Sequence, residues 1–441
     1  DGLEMSFGYM THAVWTEELE AEARYWCSKK PITKMHTADV SIPLSTALLP
    51  FARLGGRAEI NLLEPCKLFA NGAAGKNTYS DKLKHRFSKS QFFSMATKEE
   101  ILDLFWSRPE GKRYTNRILL KMEAYKVRHF VTVPIESYVT MKPIVDYLIM
   151  RFPDNKMIYP LVKDKAKRML SMSAMLSDYN DVTYIPIDQK GFDENIPTQL
   201  VINILLWIKD TLVVTEDPVS RVFMNHAIDK SIYILEHSYA LINGRIEKWH
   251  DGLASGLPIT NIIGSLANLC YNYYALGPLW DKVLDICCMG DDTQLALDGK
   301  YDLEQIVIDY ELTGARVNVA KNFASTQHSM FLKTMITKEG LYGYPLRDVS
   351  GMLFFKPNRN FVEDEGLPIV LQVLQSFMSR LLVWDVYDHE ELDNYIRNFF
   401  TNNVLKDIKR HGIGYLTHPW DYRIRSRPRD NIENEFDLPK M

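Results

Sequence analysis

Asp291 and Asp292 stand side by side in "VLDICCMGDDTQLALDG", between two apolar-rich runs that read as strands. Gly290 supplies the positive backbone dihedral that a tight hairpin turn needs. Two adjacent carboxylates repel unless water or a cation separates them. A solvated turn explains Gly-Asp-Asp without any chemistry. By residue usage alone that tripeptide turns up in on the order of one chain in ten of this length, so on its own it decides nothing.

A second carboxylate pair stands upstream in "VTYIPIDQKGFDENIP". Asp188 ends a strand-like run and Asp193 follows five positions on. If that strand lies beside the hairpin, Asp188 meets Asp291. Carboxylates that meet must share a proton or hold a cation. Oxygen ligands favour a hard ion such as Mg2+. Two such ions about 3.5–4 Å apart support in-line phosphoryl transfer.

Between the pairs lies "DGLASGLPITNIIGSLANLCYN". Gly252, Ser255 and Gly256 predict a loop, and Pro258 suits the first turn of a helix over 259–275. Ile259, Ile262, Ile263, Leu266 and Cys270 recur at helical spacing and form its buried stripe. Thr260, Gly264 and Asn268 line a second face, with Asn261 and Ser265 beside them, over about 12 Å. That face either packs closely through small residues or receives the sugar and base of a substrate.

The elements that must position these groups are mixed. "WTEELEAEARYWCSKK" (15–30) predicts an amphipathic helix closed by Pro31, and "TKEEILDLFW" a helix capped by Thr97. "KVRHFVTVP" (126–134) and 182–188 read as strands. A helix is expected through "TQLVINILLWIKD" and another over 302–313, ended by Gly314. "RVNV", "SMFLKTMI" and "LYGYPL" read as strands among turns, and the last ninety or so residues as mostly helical. Helices and strands in irregular order imply an α+β fold rather than a doubly wound sheet. "ANGAAGKNTYS" evokes a phosphate loop, but its Gly spacing is short and Asn77 stands where Ser or Thr is required.

The 441 residues carry 46% hydrophobic and 24% charged residues, enough for a sizeable core and too long for one ordinary domain. Five cysteines with no C-x-x-C pair fit a reducing compartment. No apolar run approaches the roughly 18 residues that span a bilayer, so no membrane segment is expected. The N-terminus has no signal-peptide pattern. The formal net charge is -4, yet residues 82–128 hold 12 Lys/Arg against 5 Asp/Glu, and residues 406–429 hold 7 against 2. Two basic stretches on a mildly acidic chain suit local polyanion contact, or two solvated faces.

The ordered set Asp-x4-Asp, Ser-Gly-x3-Thr before a helix, then Gly-Asp-Asp resembles motifs A, B and C of viral RNA-dependent RNA polymerases. The 103 residues from Asp188 to Asp291 suit that family. "KMEAYKVRHFVTVP" resembles motif F, whose basic residues meet the incoming triphosphate; Lys121, Lys126 and Arg128 carry the match. "LTGARVNVAKNF" resembles motif D, which makes Lys321 a general-acid candidate for pyrophosphate departure. "SMFLKTMITKEGLYGYPLRD" resembles motif E, a product or primer support, through Phe331, Leu332 and Lys333. Its continuation through Gly343, Tyr344 and Arg347 is most similar to polymerases of double-stranded RNA viruses (totivirus, reovirus, cystovirus and picobirnavirus).

The resemblance, over about residues 121–347, implies a right-hand polymerase with fingers, thumb and an antiparallel palm sheet. It divides the chain into an N-terminal region and part of the fingers (1–120), fingers with motif F (121–181), palm with motif A (182–200), a fingers insertion (201–250), palm with motifs B to E (251–347) and thumb or C-terminal helices (348–441). It implies Asp188, Asp291 and Asp292 as ligands of two Mg2+ ions, which Mn2+ can replace. NTP contacts fall to Lys121, Lys126, Arg128, Asp193, Ser255, Gly256, Thr260, Ser265 and Asn268. Many members place Asn four residues after the motif B Thr to read the ribose 2′-hydroxyl. Gly264 stands there, so sugar reading passes to Asp193, Ser255, Thr260, Ser265 or Asn268. Implied partners are RNA template and product, NTPs and viral capsid or core proteins, in the virion interior and host cytoplasm. A reverse transcriptase fits less well, because that family has a bulky aromatic where Asp193 stands. A non-catalytic capsid scaffold shares the fold but has no reason to keep all three carboxylates. A metal-dependent nuclease has only the carboxylates in its favour.

Overall fold

The computed structural model describes residues 14–30, 32–53, 78–80, 85–87, 92–93, 95–123, 126–178, 181–319 and 322–342. The expected C-terminal helices, the second basic stretch, Lys321, Cys66, Gly343, Tyr344 and Arg347 lie outside the described residues. So does most of "ANGAAGKNTYS".

Compactness divides the chain into two units. The larger comprises His12–Arg168 and Tyr179–Ser329, the smaller Asp1–Thr11, Met169–Asp178 and Met330–Met441. This division is coarser than the six parts expected from the sequence.

In the larger unit, helix α1 (Glu17–Cys27) starts where Thr16 accepts the Leu19 N–H (3.2 Å), with Glu17, Glu18 and Glu20 in its positive first turn. Helix α2 spans Ser41–Leu48. Helix α3 (Lys98–Trp106) opens on a capping box between Thr97 and Glu100. Strands β1 (Tyr114–Glu123) and β2 (Lys126–Thr132) pair antiparallel, Arg117 opposite Thr132 and Lys121 opposite Arg128. Helix α4 (Ile135–Arg151) is buried along most of its length. Helix α5 (Lys165–Asp178) leads into the smaller unit.

The strand expected over 182–188 forms as β3 (Val182–Asp188), buried until its last residue. Helix α6 (Thr198–Trp207) continues as a π turn and a 3-10 turn to Thr215. Thr198–Thr215 is long and apolar enough to cross a membrane by length and composition, which corrects the expectation that no segment is. More than half of it is buried inside the fold, with Leu200, Val201, Ile204, Leu205 and Ile208 in the core.

Helix α7 (Pro218–Glu236), capped by Asp217, leads to strands β4 (Ser238–Ile242) and β5 (Arg245–Lys248). Their turn is Asn243–Gly244, with φ of 42° and 85°, the pairing that hairpin geometry favours. β4 lies parallel to β1, giving a mixed four-stranded sheet in the order β2-β1-β4-β5.

Helix α8 (Thr260–Leu276) is followed by β6 (Val283–Met289), β7 (Asp292–Asp298) and α9 (Leu303–Leu312). The second sheet is antiparallel throughout, in the order β3-β7-β6. α8 packs against β6, α9, α6 and α2. Both of its faces are therefore covered, including Gly264, Ser265 and Asn268. The four described cysteines are free and buried; Cys287 and Cys288 are packing residues of β6.

The smaller unit is described at Met169–Asp178 and residues 330–342. β8 (His328–Phe331) leads into it, and β9 (Thr334–Thr337) pairs with β10 (Leu341–Tyr342). Ser173 and Ser177 of α5 donate to the carbonyls of Thr337 (2.6 Å) and Lys338 (3.1 Å).

Candidate active site

The carboxylates meet at one end of the antiparallel sheet. Asp188 closes β3 directly opposite Asp292, the first residue of β7, and Met289 faces Asp292 from β6. Directly opposed residues in such a sheet have Cβ atoms about 4.5–5.5 Å apart, and like charges there repel. Gly290 and Asp291 form the turn, with Gly290 at φ +58°. Asp291 is exposed, while Asp188 and Asp292 are half-buried.

Asp193 joins this group from a single helical turn, Phe192–Asn195. Burial, then the charges of Asp291 and Glu194, push its carboxyl up to about 7. Asp193 and Asp291 are therefore close enough to repel. Gly252 (φ +93°) lets the loop before α8 approach this turn: a Cβ there would lie 3.3 Å from the Asp193 carbonyl, which accepts the Leu253 N–H at 2.8 Å.

Residues 316–319 and 322–325 lie along the free edge of β3, bridged at Val317 and Ser325. "RVNV" forms a single bridge there, Val317 to Gln189, instead of the expected strand. The Asp188 N–H donates to Asn322 Oδ1 (2.8 Å) and the Asp188 carbonyl accepts the Asn318 N–H (2.9 Å). Asn318 Nδ2 donates to Asp188 Oδ2 (3.1 Å), which fixes one carboxylate oxygen.

The loop before α8 ties these carboxylates to the four-stranded sheet. Thr260 Oγ1 donates to the Ala254 carbonyl (2.6 Å), closing the loop on the helix. Ser255 is exposed, and its Oγ accepts the Val131 N–H at 3.4 Å. Gly256 lies so near β2 that a Cβ would stand 2.0 Å from the Val131 carbonyl oxygen. Arg128 occupies an exposed position on the same strand. The backbones of Lys121 and Lys126 sit in paired strands, and their side chains lie outside the described part.

Three expectations change. Ser265 and Asn268 do not line a substrate face: both are 0% exposed and bonded to the Gly290 backbone. Among the sugar-reading candidates this leaves Asp193, Ser255 and Thr260 with any exposure. Phe331 is 2% exposed, so it supports its hairpin through packing rather than by touching a strand of RNA. Leu332 and Lys333 form the tip at φ of 49° and 64°, with Lys333 exposed.

Sequence reasoning missed Gln189, Asn272, Asn318 and Asn322. Asn272 had a signal, since it extends the row Thr260, Gly264, Asn268 by one more helical turn. It also missed how α1 supports the site's loops. Trp26 packs on Trp249, the Cys27 carbonyl accepts the His250 N–H (2.7 Å), and the Leu19 carbonyl bonds His129 of β2 (2.8 Å).

Among the described residues no group of three or more His, Cys, Asp or Glu side chains stands together as a ready-made metal cage. Mg2+ needs none, being commonly held by one or two carboxylates together with substrate phosphates. The oxygen-only donors at this sheet end fit that mode.

An antiparallel sheet ending in opposed aspartates, with a helix behind the turn and a basic sheet beside it, is the arrangement that the polymerase resemblance leads one to expect of a palm. Solved structures agree on the fold. The polymerase of a human picobirnavirus matches with a TM-score of 0.55 and 13% identity, over 91% of this chain and 83% of that one. Its insertion-loop deletion mutant gives 0.54 and 13%, over 91% and 86%. Residues 218–353 match the family described as viral RNA-directed RNA-polymerase. The "Probable RNA-directed RNA polymerase" of Giardia lamblia virus (isolate Wang) is 25% identical over 337 residues, 74% of this chain. The chain spans 16% of that relative's length. By sequence and by fold, then, the chain is similar to viral RNA-directed RNA polymerases.

Proposed function

We propose that the chain carries out template-directed RNA synthesis from NTPs by two-metal-ion nucleotidyl transfer, in replication and transcription of a double-stranded RNA genome. The observation that carries this reading is the convergence of Asp188, Asp291 and Asp292 at one sheet end, within reach of the charge of Asp193. Asp188 and Asp291 would hold two Mg2+ or Mn2+ ions, with Asp292 as secondary ligand or turn former. Bound there, the ions supply Lewis acidity for the attacking 3′-hydroxyl and charge for the leaving pyrophosphate.

The chain's own residues do the rest. Arg128, with Lys126 and Lys121 on the same paired strands, meets the triphosphate; a guanidinium suits bidentate phosphate contact. Asp193, Ser255 and Thr260 receive the ribose, and Lys321 gives a proton to the departing pyrophosphate. The Leu332–Lys333 tip supports product or primer. Template and product are held through phosphates, so binding weakens with salt. The palm spans 182–200 and 251–347, the fingers flank it in sequence, and residues 348–441 contribute the thumb. RNA, NTPs and viral core proteins are the partners, in the virion interior and host cytoplasm.

The test is incorporation of labelled NTPs on a single-stranded RNA template, with and without Mg2+ or Mn2+. Wild type is expected to extend RNA only with metal, and Asp291→Asn to lose synthesis while folding normally. Robust synthesis by Asp291→Asn, or preference for dNTPs, would overturn the reading.

A further inference from the structure

The backbone of Gly290, the residue before Asp291, is gripped from behind. The Gly290 N–H donates to Ser265 Oγ (2.8 Å), and the Gly290 carbonyl accepts from Asn268 Nδ2 (2.7 Å). The Ser265 hydroxyl in turn donates to the Asn261 carbonyl (2.7 Å). Asn268 Oδ1 accepts from Gln189 Nε2 (2.7 Å) and from Asn272 Nδ2 (3.0 Å). Asn272 also donates to Thr293 Oγ1 (3.1 Å) and accepts from the Tyr310 hydroxyl. Gln189 directly follows Asp188, and Gly290 directly precedes Asp291. One side chain, Asn268, therefore bridges the chain beside both carboxylates.

A helix packing on a strand needs no such groups; apolar side chains fill that space more cheaply. Here Ser265, Asn268, Asn272 and Tyr310 are 0% exposed, Gln189 4% and Thr293 1%. A buried polar network with its partners in place fixes one geometry, because any slippage strands a desolvated donor or acceptor. The two peptides that flank Gly290 are each bonded to α8, the Met289–Gly290 peptide through its N–H and the Gly290–Asp291 peptide through its carbonyl, and rotation of either would swing Asp291.

We propose that Ser265 and Asn268 are positioning residues that set the separation and orientation of Asp188 and Asp291, through Gln189 on one side and Gly290 on the other. The consequence for metal holding rests on the polymerase reading above; the clamp on the turn does not. Ser265 and Asn268 act on the carboxylates rather than on the ribose.

Three measurements test this on Ser265→Ala, which removes one oxygen, and on Asn268→Ala. Hydrogen exchange is followed in metal-free protein over a peptide containing Gly290 and Asp291. Mn2+ binding is measured by electron paramagnetic resonance without nucleotide. Steady-state rates give kcat and KM for NTPs and dNTPs. In Ser265→Ala, exchange at Gly290 is expected to quicken about tenfold or more while interior amides of β3 and β7 hold. Mn2+ affinity or kcat is expected to fall about 10- to 100-fold, the range for groups that orient metal ligands. KM for NTPs and the NTP-over-dNTP preference stay within about twofold.

Unchanged exchange at Gly290 in Ser265→Ala overturns the clamp, whatever happens to Asn268→Ala. So does a raised KM or lost sugar preference with Mn2+ binding intact, since that is the mark of a substrate reader. If wild type makes no RNA while the variants still loosen the turn and weaken Mn2+ binding, the polymerase reading fails and the clamp stands.

Discussion

The three-stranded sheet ends in aspartates whose neighbouring peptides are bonded to buried side chains. The four-stranded sheet carries Arg128 on an exposed strand position, opposite Lys121 in the backbone pairing. The two ends face different tasks. Carboxylates that hold a small cation must stand within a few tenths of an ångström of their place, because Mg2+ demands near-ideal octahedral geometry. A cation that meets a triphosphate works as a charge and tolerates movement, so strand register suffices.

The largest test of this contrast is a pair of substitutions. Asp188→Asn is expected to lower kcat by at least roughly 10^3-fold with little change in stability, as for other groups that act as a unit. Arg128→Ala removes one charge-assisted contact of about 1.5–3 kcal/mol. It should raise the KM for NTPs about ten- to hundredfold and leave kcat nearly intact. If both variants lose kcat alike, the four-stranded sheet is as geometrically exacting as the sheet that carries the aspartates and the contrast breaks.

Gly256 joins the two sheets and should be the next most sensitive position. A Cβ there meets the Val131 carbonyl at 2.0 Å, a backbone atom that cannot turn aside. Gly256→Ala must move either the loop or β2. Overpacking of this kind costs about 1–3 kcal/mol. Denaturant midpoints should show that loss, and kcat and KM should worsen together, because the loop meets Asp193 at one end and β2 at the other. A variant with wild-type stability and kinetics would show that the close approach has no consequence.

Much of this was legible beforehand for identifiable reasons. β3 and the Gly290 turn are written in local terms, as β-branched runs and a glycine where φ must be positive. The Thr97 cap is a short-range pattern of the same kind. The β4–β5 hairpin was equally legible through Asn243–Gly244 and was passed over. The role of α8 could not be read, because periodicity shows that Ser265 and Asn268 share a face but not what covers it. That depends on the Gly290 turn and Gln189 meeting them there, contacts with chain more than twenty residues away. The fourfold covering of α8 turned an expected substrate face into an interior one. The support that α1 gives to His129 and His250 is likewise nonlocal and has no pattern in the sequence.

Asp193 provides a smaller, pH-dependent test. Its folded carboxyl is raised to about 7 by burial, Asp291 and Glu194, while an unfolded Asp titrates near 4. Below about pH 4 both states hold the proton and no penalty exists. Between about 4 and 7 the unfolded chain ionises first, so stability falls as pH rises, and above about 7 the penalty is constant. Asp193→Asn should therefore melt at a higher temperature than wild type at pH 8 and close to it at pH 4. Saturating Mg2+ should narrow the gap at pH 8 by offsetting the repulsion from Asp291. A gap that is independent of pH would mean that neither burial nor the neighbouring carboxylates raise the Asp193 carboxyl.

The smallest effect is expected at Gly264, and it separates two readings of α8. A glycine inside a helix costs about 0.5–1 kcal/mol relative to alanine. At Gly264 an added Cβ would stand 3.6 Å from Phe192 Cε1 and 3.9 Å from Leu253 Cδ2, ordinary contact distances. Gly264→Ala should thus gain up to about 1 kcal/mol by chemical denaturation, with kcat and KM within about twofold of wild type. If instead this face of the helix receives the nucleotide sugar, a methyl group there obstructs it, and the KM for NTPs climbs while stability rises as predicted. A rise in KM at Gly264 would return the row Thr260, Gly264, Asn268 to substrate reading and leave the rigidity of the aspartate turn to the strands alone.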